Sequence, residues 1–140
     1  SDGGQRTGGV VVAVDPNAVG PPDRRVEVRP ALGATVSDVL AADAYLLGTP
    51  ANLGYMSGAM KHFFDTIYYP VLDATVGRPY GVWVHGNDDT AGALSAIGKI
   101  TTGLRWKQVH EPVSITGPPD RAALDACREL AATVAASLLL

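Results

Sequence analysis

The fold of this chain is decided by residues 48–65, which have the sequence GTPANLGYMSGAMKHFFD. An apolar run from Ala44 to Leu47 comes directly before them and is typical of a buried strand. Apolar residues spaced three and four apart follow from Met56, and this spacing predicts a helix. The segment is therefore expected to form a strand, a loop shaped by glycine and proline, and a helix. Ligands bind outside the carboxyl ends of strands in an open parallel sheet, so this loop is a candidate binding site.

The same segment resembles part of a known family. It contains Gly-Thr-Pro at 48–50, Gly-x-Met-Ser-Gly at 54–58 and Lys-x-Phe-Phe-Asp at 61–65. These motifs are similar to the flavin-contacting loop and following helix of flavodoxin-like proteins, in the branch of NADPH-dependent FMN reductases and quinone reductases. The resemblance is specific over residues 44–65 and extends as far as residue 117. It implies that the loop lies against the isoalloxazine ring of FMN, with contacts from Gly48, Thr49, Pro50, Ala51, Asn52, Leu53, Gly54, Tyr55 and Met56. A strand–loop–helix junction without a ligand is the alternative.

Composition limits the classes of protein that remain. The chain has 140 residues, which is enough for one domain with a hydrophobic core, and we expect a single domain over 1–140. Apolar residues make up 46 % and charged residues 18 %, as in folded globular proteins. A net charge of −3 gives no reason to expect a nucleic-acid partner. The single cysteine, Cys127, lies in a helical pattern and is expected to be a small buried hydrophobe.

The sequence contains no apolar stretch long enough for a transmembrane helix. Its first residues are polar and rich in glycine, without a signal-peptide pattern. These features predict a cytoplasmic protein with no membrane partner. No pattern of metal-ligand spacing is present, so no metal site is expected.

Hydrophobic periodicity predicts alternating strands and helices, which favours a three-layer α/β fold with a doubly wound parallel sheet. The resemblance makes this fold flavodoxin-like. Strands are expected at Val10–Val14, Arg25–Arg29, Tyr45–Leu47, Arg78–His85 and Val109–Ile115. Helices are expected at Thr35–Ala42, Met56–Tyr68 and Thr90–Leu104, and from Pro118-Pro119-Asp120 to Leu140. Thr35 or Ser37 is expected to cap the first helix, and Pro119 or Asp120 the last.

The N-terminal region departs from this pattern. A parallel crossover with its helix needs a dozen or more residues, whereas the connection after Val14 is short and contains three prolines. The first helix is therefore missing or replaced. An alternative treats residues 1–7 as a phosphate loop, with Ser1, Gly3 and Thr7 as contacts, and Gly8–Val14 as a remnant of the first helix. A third possibility is that residues are missing from this region.

A second loop follows the strand that ends at His85. The resemblance implies that this loop contacts the pyrimidine side of the flavin, through His85, Gly86, Asn87 and Gly92. Unpaired N–H groups at the adjacent helix start are suitable donors to flavin O2 and N1. Asp88 and Asp89 would repel an anionic reduced flavin, so we expect them to cap the helix. His85 is either a proton donor or a half-buried histidine paired with backbone.

The sequence and the resemblance together predict an FMN-binding oxidoreductase that uses NAD(P)H to reduce a quinone, a flavin or a similar small acceptor. No catalytic triad is needed, because the flavin carries the chemistry. Tyr55 is the best candidate for a ring contact. The resemblance implies a homodimer or higher homo-oligomer, in which Tyr68, Tyr69 and Pro70 would form part of the subunit face or cover a neighbouring subunit's flavin. The alternatives are a flavodoxin-fold interaction module without cofactor and an electron-transfer flavodoxin.

Overall fold

The computed structural model describes residues 9–13, 26–52, 55–86, 90–118 and 120–138. Strands and helices alternate along most of this part of the chain. The elements are β1 (Gly9–Ala13), β2 (Val26–Pro30), α1 (Val36–Ala41), β3 (Ala44–Asn52), β4 (Tyr55–Met56), α2 (Gly58–Val71), β5 (Pro79–Gly86), α3 (Ala91–Leu104), β6 (Lys107–Gln108), β7 (Val113–Thr116) and α4 (Arg121–Ser137).

The sheet has the strand order β2-β1-β3-β5, and both β6 and β7 pair with the far side of β5. Strand β5 is parallel to β3, β6 and β7, which confirms the predicted α/β class with a parallel sheet. Strand β1 departs from this pattern, because it runs antiparallel to both β2 and β3. The sheet is therefore parallel from β3 onward and mixed at its N-terminal side.

The direction of β1 explains how the short N-terminal connection is accommodated. Only residues 14–25 separate β1 from β2. A parallel neighbour would require a crossover, whereas an antiparallel neighbour does not. The alternative that treated Gly8–Val14 as a helix remnant is wrong, because Gly9–Ala13 is a strand. The proposed phosphate loop and residues 14–25 lie outside the described part of the chain.

Alternation along the strands separates two packed faces of the sheet. On one face, Tyr45 and Leu47 of β3 and Val82 and Val84 of β5 are buried in a core that includes residues of α1, α2 and α3. On the other face, a smaller cluster forms around α4 and consists of Ala44, Leu130 and Val134, with Leu46, Trp83, Val109, Val113 and Leu138 packed against it. The fold therefore has three layers, as the sequence predicts.

Several element ends confirm or correct the predicted boundaries. Thr35 forms a capping box with Asp38 at α1, and the Asp120 carboxylate accepts from the Ala123 amide at α4, so both predicted caps are confirmed. Helix α2 begins at Gly58 and ends at Val71, beyond the predicted end at Tyr68. The predicted strand Val109–Ile115 begins too early, because β7 covers only Val113–Thr116, and the short strand β6 at Lys107–Gln108 precedes the predicted range. Pro112 precedes β7, and a proline has no N–H group for a sheet ladder.

A buried polar cluster stabilises the end of the sheet where β3 and β5 begin. The rings of Tyr45 and Trp106 stack with centroids 4.2 Å apart, and Trp106 Nε1 donates to Thr75 Oγ1 at 2.8 Å. The Tyr45 hydroxyl donates to the Val39 carbonyl at 2.6 Å. Burial raises the pKa of Tyr45 above its usual value, and the nearby Arg78 opposes this effect only partly. None of the helices in the described ranges is both long enough and apolar enough to cross a bilayer.

Candidate active site at the carboxyl edge of the sheet

Residues from three distant segments meet where β3, β5 and β7 end. The pairing register places Pro50 opposite His85 and His85 opposite Ile115. The two loops that the sequence predicts as ligand contacts therefore belong to one edge of the sheet. This is the edge at which parallel α/β sheets bind ligands.

The predicted ring-contacting loop is a β-hairpin rather than an irregular loop. Strand β3 continues through Thr49 and Pro50 to Asn52, and β4 returns beside it with Ala51 opposite Met56 and Asn52 opposite Tyr55. Sequence reasoning ended the strand at Leu47 because Gly-Thr-Pro is typical of a turn, but pairing with β5 extends it. We call Pro50 to Met56 the hairpin arm. Leu53 and Gly54, which connect β3 to β4 in the sequence, are not among the described residues.

The two faces of the hairpin arm have different environments. Met56 is buried in the main core with Ala93 and Ile97 of α3, and Ala51 packs against the same core. Tyr55 belongs to the other cross-strand pair and is 41 % exposed. The arm is thus anchored on α3 by one face, while its other face presents an aromatic side chain to solvent.

Thr49 holds the base of the hairpin arm. Its side chain is 2 % exposed, its hydroxyl accepts from the Ser57 amide at 3.0 Å, and it donates to the Pro50 carbonyl at 2.9 Å. Ser57 Oγ in turn accepts from the Met60 amide at 3.0 Å and so caps α2. The Thr49 hydroxyl, predicted as a cofactor contact, is therefore engaged with the protein itself.

Gly48 is required by a neighbouring side chain. A Cβ atom at this position would lie 2.1 Å from Cζ2 of Trp83, the residue directly opposite it on β5. The sequence predicts Gly48 as a point of close approach to a ligand. In the structure, the group that approaches the Gly48 backbone is the indole ring of Trp83.

His85 and Thr90, which flank the second loop, make side-chain contacts with Ser114 of β7 and with Gly117 just after it. His85 Nε2 lies 2.8 Å from the Gly117 carbonyl oxygen, and the hydroxyls of Thr90 and Ser114 are in direct contact. Because a carbonyl only accepts, the neutral imidazole carries its proton on Nε2 and leaves Nδ1 as an acceptor. This geometry matches the predicted histidine paired with backbone.

The start of α3 completes the described part of the edge. Thr90 is the N-cap residue, but its side chain makes no capping bond to the helix. Gly92 lies in the first turn of α3, and Gly86 ends β5. Asn87, and the carboxylates Asp88 and Asp89 predicted to cap this helix, lie between the ranges that the structure describes.

The predicted phosphate contacts at the N-terminus lie outside the described residues. Ser1, Gly3 and Thr7 precede the first described residue, Gly9. The register places Gly9 level with Gly48 of β3, so the chain enters β1 from the same edge as the hairpin arm. In the described ranges, no three His, Cys, Asp or Glu side chains form a group that could hold a metal ion.

An open cleft of about 570 Å³ lies at the opposite end of the sheet, where β5 and β6 begin. Its lining residues are Gly77, Pro79, Lys107, Val109, Thr133, Ala136 and Ser137. It contains none of the predicted site residues.

The described part of the edge fits the ring of a flavin. The exposed Tyr55 offers a flat apolar surface, and the start of α3 has no side-chain cap from its N-cap residue. The tyrosine suits the ring system of a flavin, and the helix N-terminus suits an electronegative group.

Comparison with known proteins supports the resemblance seen in the sequence. The NAD(P)H dehydrogenase (quinone) of Syntrophobacter fumaroxidans is 35 % identical over 86 residues, which cover 61 % of this chain and 40 % of that protein. The chain thus spans less than half the length of this curated relative. No protein-family model matches the chain.

Two solved structures share the fold at low identity. A flavodoxin from the domain Archaea has a TM-score of 0.66 at 15 % identity, covering 76 % of this chain and 73 % of that one. A flavodoxin, WrbA-like protein from Agrobacterium tumefaciens has a TM-score of 0.65 at 20 % identity, covering 73 % and 69 %. The chain therefore has the flavodoxin-like α/β fold and is related in sequence to proteins named NAD(P)H dehydrogenase (quinone).

Proposed function

We propose that this chain is the FMN-binding part of an oxidoreductase that uses NAD(P)H to reduce a quinone, a flavin or a similar small acceptor. The convergence of the hairpin arm and the β5–α3 junction at one sheet edge is the observation that carries the proposal. The name of the related protein, NAD(P)H dehydrogenase (quinone), supports the same reaction class.

Different residues of this edge would contact different parts of the cofactor. The exposed face of the hairpin arm, with Tyr55, would lie along the isoalloxazine ring, and Leu53, Gly54 and Asn52 would belong to the same contact. Backbone N–H groups of Gly86, Asn87 and Gly92 would donate to the pyrimidine edge, where negative charge accumulates on reduction. Bound FMN would supply the hydride-accepting chemistry.

The phosphate contact is assigned to residues 1–7. Ser1, Gly3 and Thr7 are suitable because hydroxyl and backbone N–H groups bind phosphate, and because β1 is entered from the ligand edge. A proton-donor role for His85 would use Nδ1 of the imidazolium, since Nε2 is held by the Gly117 carbonyl. That role is compatible with the contact but does not follow from it.

The remaining expectations concern assembly and location. Tyr69 is 80 % exposed and lies edge-on to Tyr68 at 5.0 Å, so the end of α2 presents aromatic surface suited to a homodimer or higher oligomer. A cytoplasmic location and a single domain over 1–140 stay predictions. NAD(P)H and a small electron acceptor are the proposed partners.

One specific observation favours a second candidate function. In the described part of the chain, β1 is antiparallel to β3, whereas the phosphate loop expected from the resemblance follows a parallel strand. A flavodoxin fold without cofactor, acting through its surface, would tolerate this change. An electron-transfer flavodoxin is the third candidate, and it would bind FMN but would not be reduced by a nicotinamide.

Titration with FMN separates these candidates. We expect flavin fluorescence to be quenched with a defined dissociation constant, and Tyr55→Ala to weaken binding while Tyr69→Ala, at an exposed tyrosine on α2, does not. Anaerobic NADH or NADPH should then bleach the bound flavin, and a quinone should restore its absorbance. Absence of binding would favour the module without cofactor, and binding without bleaching would favour the electron-transfer flavodoxin.

A further inference from the structure

The buried hydroxyl of Thr49 closes the base of the hairpin arm. Tyr45, Leu47 and Thr49 alternate along β3 and face the main core, and Thr49 is the one of the three that lies next to the arm. A buried hydroxyl is stable when it is hydrogen-bonded, and Thr49 uses its oxygen both to accept and to donate. Its two partners are the first residue of the arm, Pro50, and the residue that follows the arm, Ser57.

This arrangement connects the arm to both neighbouring elements. The Pro50 end continues the β3 ladder with β5, and the Ser57 end caps α2. Ser57 is itself 2 % exposed, so water cannot readily replace the hydroxyl that its amide bonds to. The Thr49 hydroxyl therefore links the start of the strand pair that carries Tyr55 to the residue that follows it.

We propose that Thr49 is a positioning residue for flavin binding: its hydroxyl holds the hairpin arm in the geometry that receives the ring, without contacting the ring itself. This inference rests on the proposed function. Loss of the hydroxyl would leave the β3–β5 ladder in place and loosen the arm, so part of the flavin's binding energy would be used to order it.

The chain contains a closely matched control. Thr75 is also fully buried, and its hydroxyl also accepts one N–H group, Trp106 Nε1 at 2.8 Å, and donates to one backbone carbonyl, that of Val71 at 3.0 Å. It lies between α2 and β5, at the opposite end of the sheet from the ligand edge. Thr49→Val and Thr75→Val thus remove equivalent hydrogen bonds at different places.

The test measures FMN affinity and amide exchange in wild type, Thr49→Val, Thr49→Ser and Thr75→Val. We expect Thr49→Val to raise the dissociation constant for FMN roughly tenfold, which corresponds to about 1.4 kcal/mol. Thr49→Ser should restore affinity, and Thr75→Val should bind FMN as wild type does. In the ligand-free protein, the Ser57 amide should exchange faster in Thr49→Val only.

Three results would overturn the inference. Thr49→Val that binds FMN as tightly as wild type would refute it while leaving the proposed function intact. An equal loss of affinity in Thr49→Val and Thr75→Val would show general loosening of the fold rather than positioning. Wild-type protein that binds no FMN would refute the proposed function and this inference with it.

Discussion

Replacement of Gly48 by alanine tests how the two central strands are packed beneath the ligand edge. The new Cβ atom would lie 2.1, 2.2 and 2.7 Å from three ring atoms of Trp83, whereas carbon atoms in contact are normally about 3.5–4.0 Å apart. The ring cannot swing away freely, because it packs against the cluster formed with α4. Overpacking of this kind costs about 1–3 kcal/mol, so we expect a loss of about 2 kcal/mol.

Two further variants make this prediction specific. Gly98 lies on α3 with open space around the position of a Cβ atom, so Gly98→Ala should instead raise stability by about 0.5–1 kcal/mol. Trp83→Leu removes the ring that causes the clash, so Gly48→Ala should cost at least about 1 kcal/mol less in that background. Urea denaturation followed by circular dichroism measures the free energy of unfolding of wild type, the three single variants and the Gly48→Ala/Trp83→Leu double variant. Equal losses in both backgrounds, or no loss in Gly48→Ala, would refute the proposed packing.

Three other predictions follow from local contacts. Asp120→Ala should lower the free energy of unfolding by about 1 kcal/mol, because it removes the N-cap bond of α4, and urea denaturation would show no change if that bond were unimportant. Burial raises the pKa of Tyr45 in the folded state, so the unfolded state loses this proton first and stability should fall as pH rises through about 10. Urea midpoints between pH 9 and 11 should fall more steeply in wild type than in Tyr45→Phe, and parallel curves would contradict this. Burial also raises the pKa of the half-buried Cys127, so iodoacetamide should alkylate it more slowly in native protein than in urea, and equal rates would exclude protection.

Local signals in the sequence identified most elements but not all of their limits. The caps Thr35 and Asp120 could be predicted, because short polar side chains before an apolar helical pattern are local features. The continuation of β3 through Pro50 could not, because it depends on pairing with β5, which lies far along the chain. The only sequence feature that bears on the direction of β1 is the connection to β2, which is too short for a parallel crossover with its helix.

In the candidate site too, some features could be predicted from the sequence, whereas others depend on contacts between residues that are distant in the chain. Its location followed from the order of strands and loops, which fixes where carboxyl ends meet. The core-facing position of Thr49 was not available, because its alternation with Tyr45 and Leu47 requires β3 to continue past Leu47, which depends on pairing with β5. The contact between Gly48 and Trp83 was not available, because no local pattern reports which side chain lies opposite a glycine.

The account depends most on the claim that a flavin binds at the carboxyl edge of the sheet. Backbone amide chemical shifts recorded during titration with FMN locate the ligand without any mutation. We predict the largest shifts at Tyr55, Gly86 and Gly92, with little change at the cleft near Gly77 and Lys107 at the other end. Shifts confined to that cleft, or no shifts at saturating FMN, would contradict the assignment of the site.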